Sequence, residues 1–182
     1  HYFQREAMET LVYLYEVASV RRFSDLVREY APVGMKDTLR LLQYDDFARY
    51  CIKMATGSGK TKIMALAVAW QYFNAVLEDS AVYAATSLII APNVIVFERL
   101  KEDFEGGRVF RADPIIPKEL EVYWDVDFYM RGDGERAGSQ GAVYVTNIHQ
   151  LYERNEQSDD GEPDIMTQMI GRKPPAQMVM AE

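Results

Sequence analysis

Residues 54–61 read M-A-T-G-S-G-K-T, and the interpretation of this stretch decides the fold. Gly57 and Gly59 let the main chain wrap more tightly than residues with a Cβ allow, so that successive N–H groups converge on a compact polyanion. An apolar segment follows and reads as a helix, whose free N–H groups and positive dipole end point at the same place. Lys60 adds a point charge suited to the β and γ phosphates of a nucleoside triphosphate, and the Thr61 hydroxyl is suited to Mg²⁺ held through that nucleotide. Thr56, Gly57, Ser58, Gly59, Lys60 and Thr61 are therefore the expected nucleotide-binding set, with Lys60 and Thr61 the expected catalytic pair and Thr61 the expected metal ligand. The usual G-x-x-x-x-G-K-S/T spacing would place a glycine where this chain has Met54, so the loop belongs to a variant group.

Upstream of the loop, Tyr50, Ile52 and Met54 alternate with Cys51 and Lys53, which predicts a short strand with Cys51 buried in it. Downstream, residues 61–77 are apolar on nearly all sides and predict a buried helix. The run S-L-I-I-A at 87–91, closed by Pro92, predicts a buried strand of a parallel sheet, followed by a helix over about 94–104. Alternation over 121–130 predicts another strand, with a glycine-rich loop at 131–141 and a strand over 142–146 leading into a short helix at 148–152. Nearer the N-terminus, 3–19 is spaced as one amphipathic helix, a second helix is expected after a Ser24 cap, and a third short one from Asp37 to about Gln43. Strand, loop, helix, strand, helix and strand in succession give an α/β class with a mainly parallel sheet and crossover helices. The expected organisation is a helical region at 1–47, a nucleotide-binding domain at 48–152 and a loop or torn end at 153–182.

Composition narrows the classes. With 182 residues, 48% of them hydrophobic, the chain can bury one substantial core. A net charge of -8 argues against a generally basic nucleic-acid coat but leaves room for a local phosphate-attracting cleft. One cysteine and two histidines are too few for a disulfide or a structural metal cluster. No membrane span or secretion signal is legible, and a cytoplasmic setting is expected. The chain opens on His1 rather than methionine and is expected to be a piece of something longer.

These motifs carry a family resemblance. M-A-T-G-S-G-K-T resembles motif I of superfamily 2 helicases, in the branch holding the helicase subunits of type I and type III restriction enzymes, where methionine often stands at the place of Met54. L-I-I-A-P-N at 88–93 resembles motif Ia, and V-Y-V-T-N at 143–147 the strand-end threonine motif after it, so the resemblance covers roughly 48–152. It implies a P-loop, RecA-like ATP-binding domain, the first of two in a longer chain, with ATP and Mg²⁺ as cofactors. It also implies DNA, expected to be double-stranded, as partner, with Pro92, Asn93, Thr146 and Asn147 meeting its backbone without reading its sequence. Helix capping is the alternative role for Asn93 and Asn147. Tyr2-Phe3-Gln4-Arg5 resembles the aromatic-plus-glutamine element that recognises adenine, since a glutamine amide matches adenine N6 and N7 with one acceptor and one donor. A modification or nuclease partner completes the expectation.

Hydrolysis further needs a carboxylate for Mg²⁺ and an acid to orient water, carried in this superfamily by an apolar strand ending D-E-x-H. Asp45-Asp46 precedes the loop and Asp159-Asp160 follows no apolar strand, so the chain is expected to bind nucleotide without turning it over alone. A small-molecule kinase with Arg131 and Arg136 as lid residues is one rival, and a non-catalytic binding module is another. The D-x-x-G at 103–106 has no guanine-recognition partner, Arg131-Gly132-Asp133 reads as accident, and Trp70 and Trp124 read as core.

Overall fold

A computed structural model describes residues 2–34, 47–130 and 138–149. The chain divides into two compact units, one made of 1–85 with 109–124 and the other of 86–108 with the chain from 125 onward.

The first unit is built round a long helix. Helix α1 runs Tyr2–Val12, α2 Phe23–Tyr30 and α3 Lys60–Leu77. The α3 residues Ile63, Ala65, Val68, Ala69, Tyr72 and Phe73 are buried, a broad stripe that matches the expected buried helix while its other positions remain partly open. Trp124 fills this core against Tyr72, Phe73 and Phe110, with ring centroids 5.0, 5.5 and 4.9 Å away, and the Tyr72 hydroxyl donates to the Tyr123 carbonyl at 2.7 Å. Trp124 itself is half-buried, so the reading of it as core holds for the part of its ring packed on these side chains.

Four local expectations change. The first helix does not run unbroken to residue 19: after α1 the chain widens into a π-helical turn, Tyr13–Val17, and stops at Ser19, whose φ is 51°. That wider turn brings Tyr15 and Glu16 onto α3 and the loop after it. The Glu16 carboxylate accepts from the Trp70 indole at 2.8 Å and the Tyr83 hydroxyl at 3.0 Å, and the Tyr15 hydroxyl donates to the Val82 carbonyl. Ser24 lies inside α2, whose N-cap is Arg22 without a side-chain cap bond. Residues 50–54 form no strand, since no strand among the described residues pairs with them, and Cys51 is exposed rather than buried. Alternation supplies the side-chain pattern of a strand but not the ladder its backbone needs. Finally, 118–123 is a 3₁₀ turn launched at Pro117, with Leu120 and Trp124 N–H groups bonded three residues back, so the predicted strand over 121–130 shortens to β2, Val126–Tyr129.

Among the described residues the second unit holds a three-stranded parallel sheet in the order β1-β3-β2, with β1 at Thr86–Ala91 and β3 at Gly141–Asn147. Leu88 faces Tyr144 and Ile90 faces Thr146 in register, while Val126 faces Gly141 and Tyr129 faces Tyr144. Helix α4, Val94–Phe104, buries Phe97, Leu100 and Phe104, and packs on β1 and β3. Ile89, Ala91, Val143 and Val145 are buried, whereas Leu88 and Ile90 are 37% and 43% exposed, so β1 is covered on one face rather than on both. Asp125 and Asp127 secure the chain's return to β3. The Asp127 carboxylate accepts from the Gly138 and Ser139 N–H groups at 3.2 and 3.3 Å and from the Tyr129 hydroxyl at 3.2 Å, and Asp125 accepts from the Gln140 N–H at 3.1 Å. Hydrogen bonds led by the Ser139 side chain hold the Asp127 carboxyl below its ordinary range. The short helix α5 spans Arg108–Ala112. The expected helix at 37–43, the arginine-bearing loop at 131–137 and the acidic tail lie outside the described residues.

Candidate functional site

The backbone of 57–61 has the form that phosphate binding asks of it. Gly57 and Gly59 take φ of 78° and 87°, where a Cβ is strained, and Gly59 is the N-cap from which α3 starts. A glycine N-cap has no side chain to occupy the first N–H groups of the helix, so among the described residues those of Lys60, Thr61 and Lys62 have neither an intrahelical nor a capping partner. A Cβ added at Gly57 would meet nothing within 4 Å, so the space beside this residue is open. Thr56 and Gly57 are exposed, while Ser58, Gly59 and Thr61 are half-buried. Ser58 ties the loop to itself, its hydroxyl donating to the Ala55 carbonyl at 2.7 Å. Lys60 is exposed and folds back over the loop, its ammonium donating to the carbonyls of Ala55 at 2.7 Å and Met54 at 3.1 Å. The structure therefore gathers the sequence-predicted residues from Thr56 to Thr61 into one loop-and-helix turn with one cation, Lys60, and the hydroxyls of Thr56, Ser58 and Thr61, of which that of Ser58 is bonded within the loop. No three His, Cys, Asp or Glu side chains cluster as metal ligands among the described residues. The Thr61 hydroxyl is an oxygen of the kind a hard cation held by phosphate oxygens would accept as a ligand.

Gln4 joins this group from 54 residues away. It sits on the first turn of α1 and is buried, 6% exposed, with its Nε2 donating to the Ser58 carbonyl at 3.2 Å. Its Oε1 finds no donor among the described residues. A Cβ at Gly59 would lie 2.0 Å from Gln4 Nε2, so a side chain there would have to displace the Gln4 amide in addition to straining the backbone. The Ser58 carbonyl could not be anticipated from sequence, because main-chain acceptors have no residue identity. Nor was the apolar groove of about 650 Å³ that runs beside Ala55 and Ser58, walled by Phe3, Leu11, Leu14 and Ile52.

The other sequence-predicted residues meet in the second unit. Parallel pairing aligns Ala91 with Asn147 and Ile90 with Thr146, so Pro92 and Asn93 leave the sheet at the same edge as Thr146 and Asn147. Loops beyond the carboxyl ends of parallel strands are where such sheets bind ligands. The four residues are not equivalent. Pro92 and Asn93 are exposed and Thr146 is half-buried, but Asn147 is 1% exposed. The Asn93 side chain accepts from the Val96 N–H at 2.9 Å and so caps α4, the capping role named as its alternative. His149 is exposed.

Comparison with known proteins identifies the family. The family model described as the type III restriction enzyme res subunit matches residues 1–170, and the chain belongs to that family. Neither a curated protein nor a solved structure matches. The fold is accordingly that of a P-loop helicase domain, RecA-like and α/β, and the chain is an ATP-binding motor domain of helicase type. No helix among the described residues is long and apolar enough to cross a membrane.

Proposed function

With membership of that family as the premise, we propose that the chain binds ATP with Mg²⁺ through Gly57–Thr61 and works as the nucleotide-holding part of a DNA-directed restriction or repair motor. The observation that carries this is the pairing of two left-handed glycines with an uncapped helix start that bears Lys60 and Thr61 in its first turn. Triphosphate oxygens would draw the Lys60 ammonium away from the Met54 and Ala55 carbonyls, exchanging neutral acceptors for anionic ones. Mg²⁺ supplies charge neutralisation across the phosphates, with Thr61 as its protein ligand. Gln4 has the amide inventory for adenine: one N–H is committed to Ser58, and the second N–H and the unpartnered Oε1 remain for N7 and N6.

DNA would meet the strand-end edge through the exposed Pro92 and Asn93 backbone and through Thr146. Asn147, being buried, is reassigned to holding that edge in shape rather than touching the strand. The 182 residues contain no apolar strand ending D-E-x-H, so we expect binding without steady turnover by this chain alone, with the second RecA-like domain and any nuclease or modification partner completing the motor.

The test is titration calorimetry with MgATP and MgGTP, with and without duplex DNA. The wild-type chain should prefer ATP, and Lys60→Ala should weaken MgATP by roughly 10- to 150-fold, the range for losing a hydrogen bond to a charged group. Equal affinity of wild type and Lys60→Ala would remove the phosphate reading. Steady ATP hydrolysis that Lys60→Ala abolishes would instead overturn the expectation of no turnover.

A further inference from the structure

Gln4 lies so close to the phosphate loop that recognising a base is too narrow a role for it. Its Nε2 donates to the Ser58 carbonyl at 3.2 Å, across a separation of 54 residues. That carbonyl is an acceptor only, so it fixes which end of the amide faces the loop and leaves Oε1 on the other side. The same Nε2 occupies the space above Gly59 that a side chain would need, 2.0 Å from where a Cβ would stand. Gly59 in turn is the N-cap of α3 at φ 87°, immediately before Lys60. The amide therefore braces the point where the chain turns from loop into helix, on which the direction of the first helical N–H groups depends. The remaining oxygen, buried and without a donor among the described residues, is an acceptor left open on the side away from Ser58.

We propose that Gln4 is a positioning residue of the phosphate site itself: through Ser58 and Gly59 it holds the loop in its phosphate-binding shape, so that it raises affinity for the polyphosphate even when no base is present. The proposal rests on the reading of Gly57–Thr61 as the phosphate loop, and it adds that the residue facing the base and the residue shaping the phosphate cradle are one side chain. A ligand that engages the free face of the amide then stiffens the loop through the other face, so base and phosphate binding reinforce each other.

The probe is inorganic tripolyphosphate with Mg²⁺, which has phosphates and no base. Calorimetry compares the wild type, Gln4→Ala and Gln4→Met, the last keeping the length of the side chain without a donor, and thermal melts report whether each variant is folded. Both variants should bind Mg-tripolyphosphate about fivefold more weakly than wild type, equivalent to about 1 kcal/mol. In the wild type, tripolyphosphate should shift the side-chain amide NMR signals of Gln4, which a role confined to anchoring α1 would leave unmoved. If a folded Gln4→Met binds tripolyphosphate as the wild type does while losing ATP affinity, the bracing role is overturned and base recognition stands. If the wild type binds neither tripolyphosphate nor ATP, the phosphate-loop reading fails and the proposal falls with it.

Discussion

Replacing the two loop glycines one at a time separates backbone strain from steric collision. At Gly57, φ is 78° and a Cβ would meet nothing within 4 Å, so Gly57→Ala carries only the cost of a left-handed alanine, about 1–2 kcal/mol. At Gly59, φ is 87° and the new Cβ falls 2.0 Å from Gln4 Nε2. Gln4 is flexible enough to move aside, but it then gives up its bond to Ser58, about 1 kcal/mol more. Thr56 and Gly57 are exposed, so a strained loop can relax locally without unfolding the chain. Both costs should therefore appear in MgATP affinity more than in the melting temperature, because only the fraction of molecules with the loop in shape can bind. Converted at 1.4 kcal/mol per tenfold, Gly57→Ala weakens MgATP by about 5- to 30-fold and Gly59→Ala by about 30- to 150-fold. In a Gln4→Ala background the collision is gone, and Gly59→Ala should cost no more than Gly57→Ala, a coupling of about fivefold. Equal losses for the two single variants, or a Gly59→Ala loss unchanged by removing Gln4, would refute this account of the loop.

Two further outcomes concern the second unit. Asn93→Ala removes the side chain that caps α4 and should destabilise the chain by about 1 kcal/mol in urea unfolding, and Asn93→Gly by only a few tenths; a neutral Asn93→Ala would show that the cap bond does not matter to the fold. Asp127 is held below its ordinary range by its hydrogen bonds, so its contribution is complete above the usual carboxylate pKa and is lost as pH falls through the lower folded-state value. Urea midpoints should therefore drop between about pH 5 and pH 3 in the wild type. They should drop less steeply in Asp127→Asn, and the same pH dependence in both would count against the carboxylate's role.

What the sequence determined by itself is what short-range chemistry can carry. G-S-G-K-T prescribes its own turn because glycine alone takes positive φ freely, and the length and apolar character of the run after it made α3 legible. β1 and β3 were legible as short apolar runs closed by Pro92 and by Thr146-Asn147, and Asn93 as a potential cap. Where the reading failed, the deciding partner was distant in the chain. Tyr50–Met54 alternates like a strand yet has no described neighbour to pair with, and the alternation over 121–130 becomes strand only from Val126 because 118–123 turns after Pro117. The π-helical turn at Tyr13–Val17 is drawn out by Trp70, Val82 and Tyr83, more than 50 residues away. Asn147 looked like a surface contact until β3 buried it. Gln4 was legible as a candidate for adenine, on a resemblance, but not as a neighbour of the phosphate loop. Only the tertiary fold could set it against Ser58 and Gly59, because a contact with a main-chain carbonyl leaves no mark on the sequence at the position that makes it.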